Sequence, residues 1–84
     1  MKKRRVIGYK DAIEYLKKGN EIVHFPMYDN WFMYVPVIDG DYFSQEYITI
    51  RNDALDKLIL NSVIKRDRME HYTTIYKLND KGVL

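Results

Sequence analysis

Cysteine is absent from this 84-residue chain, which excludes disulfides and thiolate metal sites and leaves stability to packing alone. Pro occurs twice and Gly four times, and no Gly-rich phosphate loop is among them. Long apolar runs are also missing: none approaches the roughly 18 residues of a membrane span, and the basic opening, residues 1–5, leads into a charged helical pattern instead of the apolar centre of a signal peptide. A soluble, cytoplasmic protein is expected. Lys and Arg are missing from residues 19–50, an asymmetry that the small net charge of +2 conceals.

What is present fits one small domain, with room for a core but not for a deep, enclosed substrate cavity as well. Aromatic residues are plentiful, with eight Tyr, three Phe and one Trp. In the first 18 residues Lys2, Lys3, Arg4, Arg5, Lys10, Lys17 and Lys18 face only Asp11 and Glu14, a balance of +5. Residues 19–50 hold Glu21, Asp29, Asp39, Asp41 and Glu46, a balance of −5, and the remainder returns to +2. An acidic middle is thus flanked by basic ends.

The middle contains residues 31–38, WFMYVPVI, an uncharged run of rings and β-branched side chains that predicts the central strand of a sheet. Its alternation places Trp31, Met33, Val35 and Val37 on one face and Phe32, Tyr34 and Pro36 on the other, both apolar. Before it, Tyr9, Ala12, Ile13 and Leu16 fall on one face of a helix that starts at Gly8 or Tyr9 and stops at Gly19. Residues 21–27 predict a strand that Pro26 ends or confines to an edge, and residues 27–30 a turn. Asp39-Gly40 signals a hairpin that returns the chain through Tyr42, Phe43 and Tyr47 to Ile50.

A second helix is expected from about Asn52 to Asn61 or Ser62, with Ala54, Leu55, Leu58 and Ile59 sharing a face. A short strand at 63–67, a turn at 68–71 and a strand at 72–78 complete the chain, with a basic arm at 1–5 and a frayed tail at 79–84. The expected fold is a single α+β domain: helix, three-stranded antiparallel meander, helix, C-terminal β-hairpin.

Chemistry-bearing constellations are few. His24 and His71 are the only histidines, with no spacing that would bind a metal, and Ser44 and Ser62 lack a nucleophile elbow. Asp39 and Asp41 are accounted for by the turn. No catalytic residue, metal or cofactor is expected, and the chain reads as a non-enzyme.

The rings invite a binding role. Two short helices cannot cover all of Tyr28, Trp31, Phe32, Tyr34, Tyr42, Phe43 and Tyr47, and exposed Tyr and Trp beside carboxylates have the composition of a protein-binding hot spot for a basic partner. The expected contact set is Tyr28, Asp29, Trp31, Tyr34, Asp39, Asp41, Tyr42, Phe43 and Glu46, on an acidic aromatic hairpin spanning about 27–47. Homodimerisation is another use for the same rings.

Two resemblances bear on the setting. Residues 55–82, with Leu55, Leu58, Val63, Ile64, Arg66, Tyr76, Leu78 and Gly82, resemble the recognition helix and wing of winged-helix domains, although a strand pattern stands where that family has its positioning helix. That resemblance implies a DNA-binding regulator whose contacts come from Lys2, Lys3, Arg4, Arg5, Arg51, Lys57, Lys65, Arg66 and Arg68. Residues 11–35 are similar to a short module of small phage proteins, one group of which inhibits the Thoeris defence system. His24, Phe25 and Pro26 replace the basic residue and Gly-Trp pair expected there, so no nucleotide site carries over. The leading expectation is therefore a phage or mobile-element protein, acting in the host cytoplasm, that modulates or inhibits a host complex such as a defence nuclease. The alternative is the winged-helix-like regulator.

Overall fold

Short amphipathic helices persist only when docked, and both helices of this chain are docked on one face of a single sheet. The computed structural model describes residues 6–79 and, within them, all side chains except those of Val37, Ile38, Asp39, Tyr42 and Phe43. The elements run β1 (Val6–Ile7), α1 (Tyr9–Lys17), β2 (Glu21–Phe25), β3 (Asn30–Asp39), β4 (Tyr42–Ile50), α2 (Asn52–Leu60), β5 (Ile64–Glu70) and β6 (Thr73–Leu78). The basic arm expected at 1–5 and the tail beyond Asn79 lie outside the described residues.

The meander is present, with β2, β3 and β4 antiparallel in turn. The C-terminal hairpin is present as well, as β5 and β6. They are not separate units, however: β6 pairs with β2, and the strand order is β1-β4-β3-β2-β6-β5 in one six-stranded sheet. The two-residue β1, unforeseen because it is so short, adds parallel to β4 through Val6↔Thr49 and Ile7↔Ile50 and makes the sheet mixed. Two boundaries also move. The strand expected at 63–67 extends to Glu70, and the turn expected at 68–71 is a tight one at His71 and Tyr72, with β6 starting at Thr73.

Local chemistry explains the ends of the helices. Gly19 takes φ +97 after Lys18, and the amides of Gly19 and Asn20 donate to the carbonyls of Leu16 and Tyr15, closing α1 with a left-handed cap. Helix α2 closes in the same way, with Ser62 at φ 55 where glycine is usual, and the amides of Ser62 and Val63 bonded to Ile59 and Leu58.

Strand alternation decides which side chains meet the helices. Ile22, Met33 and Ile48 lie side by side across β2, β3 and β4, and they pack with Ala12 and Leu16 of α1 and Ala54, Leu55 and Leu58 of α2. Ile22, Met33, Ile48 and Leu58 are fully buried. The opposite side chains of the same strands, Val23, Phe25, Tyr34 and Tyr47, line an open groove that no described element covers.

Candidate functional site: the open face of the sheet

The open face is a shallow trough whose floor is the middle of the sheet. Val23 of β2 and Ile75 of β6 pair directly and form that floor. Tyr34 and Tyr47, paired across β3 and β4, stand with Gln45 on one side, while Arg68, Glu70 and His71 stand on the other. The space between them is about 460 Å³, within the range of ligand and peptide clefts.

The aromatic side is built as a contiguous array. Tyr47 lies 5.5 Å from Tyr34, 6.0 Å from Phe32 and 6.2 Å from Phe25, centroid to centroid, with Phe25 and Phe32 5.8 Å apart. Tilted and edge-on ring pairs at these distances hold one another in place. Tyr47 nevertheless remains 50% exposed, so a preorganised aromatic surface faces solvent.

The other side is charged and internally paired. A bulge in β5 places Arg66 opposite Tyr76 and Arg68 opposite Ile75, with Asp67 as the extra residue, so Arg68 turns to the open face. Its guanidinium donates to both carboxylate oxygens of Glu21 at 3.0 and 3.2 Å, to Asp67 at 2.6 Å and to Glu70 at 3.1 Å. Those bonds, the one to Glu21 first, hold Arg68 well above its ordinary pKa. The bond from Arg68, helped by Lys77 at 3.5 Å, holds the Asp67 carboxyl below the usual carboxylate range. Arg68 is therefore a bolt between β5 and β2 across β6, with its charge already matched by carboxylates.

The expected contact residues are divided among several places. Tyr34 stands in the trough. Tyr28 and Asp29 are exposed in the turn between β2 and β3. Trp31 is on the helix side, stacked on His24 at 3.9 Å and tilted against Tyr76 at 5.1 Å, and it packs on the core. The Asp29 carboxylate accepts from His24 Nε2 at 3.0 Å and Trp31 Nε1 at 3.3 Å, which ties the turn to that stack. Glu46 is opposite Val35, in register with the helix side. Asp41 is exposed at the tip of the β3–β4 hairpin, the end of β3 remote from Asp29; the side chains of Asp39, Tyr42 and Phe43 lie outside the described ones.

Of the basic set, Arg51 is paired with Asp53 at 2.9 Å, which raises the pKa of the arginine and lowers that of the aspartate. Lys57 hangs 5.9 Å over the Tyr9 ring. Lys65 and Arg66 are exposed, and Lys2, Lys3, Arg4 and Arg5 are outside the described residues. The bulge separates Arg66 from Arg68 onto opposite faces.

Residues that the sequence reading left out of its contact set include Phe25, Tyr47, Val23 and Ile75. An Asp39-Gly40 loop would set Tyr34 opposite Gln45; the loop is Gly40-Asp41, with Asp39 paired to Tyr42, and this shift makes Tyr47 the partner of Tyr34. Nothing local marks Ile75, because its pairing with Val23 joins distant segments. Among the described residues no cluster of His, Asp and Glu is placed to hold a metal ion, and no helix is long and apolar enough to cross a membrane. No protein-family model, curated protein or solved structure matches the chain.

Proposed function

We propose that this chain is a non-enzymatic binding protein that captures a protein partner on the open face of its sheet and acts by occupying that partner's surface. One observation carries the reading: the Phe25, Phe32, Tyr34 and Tyr47 array is ordered and contiguous, no described element covers it, and Tyr47 is half in solvent. Rigid Tyr side chains contribute large contact area at low entropic cost, which is why they dominate binding hot spots. Glu21, Asp67 and Glu70 outnumber Arg68 and Lys77 in the adjoining charge network, so the trough favours a partner that presents Lys or Arg beside apolar side chains. An inhibitor or modulator of a larger host assembly is the role that fits such a surface on so small a domain.

The test is capture from a bacterial lysate by the wild-type chain and by Tyr34→Ala/Tyr47→Ala. The double variant is expected to lose the partner while retaining its fold by circular dichroism; undiminished capture would overturn the reading. The DNA-binding alternative has Lys65 and Arg66 in its favour, both exposed and without an ion-pair partner among the described residues. It predicts binding to random duplex DNA that weakens steeply with added salt. On the protein-capture reading, no such binding appears even at low salt.

A further inference from the structure

The trough opens at one end between two turns that sequence alone places far apart. His24 pairs with Thr74 in the antiparallel β2–β6 ladder, so the turn that follows Phe25 and the turn that precedes Thr73 emerge at the same end of the sheet. The first turn carries Met27 and Tyr28, which are 83% and 72% exposed. The second carries Tyr72 at its tip, 94% exposed, with Met69 near its base at 64%. Half of the exposed large apolar side chains of the described residues thus gather at one end of a small molecule.

Backbone strain marks the same end. Asp29, His71 and Tyr72 take φ 52, 45 and 66, and they are three of the four non-glycine residues with positive φ in the described chain. A two-residue hairpin loop with positive φ at both positions is ordinarily Asn-Gly, and a bulky residue there is strained. This chain accepts that strain and sets two rings on the loop.

We propose that these two turns form a single docking surface, anchored by Met27, Tyr28 and Tyr72, for an apolar pocket edged by Lys or Arg on a protein partner. The inference rests on the protein-capture reading and extends it to the mouth of the trough. Charge selects among possible occupants. Residues 26–30 and 69–73 contain Asp29 and Glu70 but no Lys or Arg, and Arg68, which bonds Glu70, is shared with Glu21 and Asp67, so the balance at this end is negative and disfavours phosphates of nucleic acid and anionic lipid headgroups. A second copy would oppose the same acidic turns to each other. Two convex tips instead suit a concave partner whose rim is basic, the arrangement in which exposed anchors enter pockets and peripheral charges steer the approach.

The experiment uses the full chain as bait for a displayed library of small folded domains whose concave faces are randomised. Binders are then compared on wild type, on Met27→Ala/Tyr72→Ala and on Tyr34→Ala/Tyr47→Ala. The expected binders combine Lys or Arg with bulky apolar residues and bind the turn variant at least about tenfold more weakly than wild type, as loss of a hot-spot anchor requires. Binders that are lost only on the trough variant would overturn this inference and leave the protein-capture reading intact. Binders indifferent to both variants, or none at all, would end both. Binding to phosphatidylserine vesicles, or dimerisation by analytical ultracentrifugation, abolished by Tyr72→Ala would reassign the surface and overturn the inference. All four substituted side chains are at least partly exposed, and unchanged thermal melting of each variant confirms that the fold is intact.

Discussion

Met33 lies opposite Ile22 on one side and Ile48 on the other, sealed beneath both helices. Met33→Ala is expected to cost about 2–5 kcal/mol of stability, read from the urea midpoint, because the cavity can collapse only by moving the sheet or a helix. Alternation within residues 31–37 assigned this side chain and Trp31 to one face from sequence alone. It cannot say which face the helices take, and so it does not show that Trp31 packs on His24 and the core. At the surface, Asp67 offers a test of the Arg68 bolt. Its pKa is lower in the folded chain than in the unfolded one, so the stability it contributes is present above the ordinary carboxylate value and is lost as pH falls through the folded value. Wild type should therefore lose more stability than Asp67→Asn between about pH 5 and about pH 2, measured by urea unfolding at low salt. Equal losses would show that the bond does not couple to folding.

At the level of elements, the amphipathic periods of α1 and α2 and the alternation of β3 were legible, as was a hairpin after β3, although its loop is Gly40-Asp41 and Asp39 stays in the ladder opposite Tyr42. A turn between β5 and β6 was legible but its position was not, because His71 and Tyr72 are poor turn formers and are placed by the ladder on either side. The bulge at Asp67 was equally hidden, since one extra residue leaves no compositional trace yet moves Arg68 to the other face from Arg66. The strained loop supplies a prediction at this scale. Replacing His71 and Tyr72 by Asn-Gly should raise stability by about 1 kcal/mol in urea unfolding and at the same time weaken capture. A gain in stability with capture unimpaired would mean that the rings at the tip are not used.

For the whole molecule, the decisive contact is the β2–β6 ladder. It joins meander and hairpin into one sheet, gives the trough its floor, and brings the two turns to one end. Such long-range pairing follows from the burial of Ile22 and Val23 on opposite faces of β2 and has no local signature, which is why the separate meander and hairpin could be read but their union could not. The sheet that results has one face spent on stability and one that no described element covers. The most direct measurement of that division is hydroxyl-radical footprinting of the chain alone and with the protein it captures. Tyr47 is predicted to react in the free chain and to be protected in the complex, while Met33 stays unreactive in both; equal reactivity of Tyr47 in the two states would contradict the account.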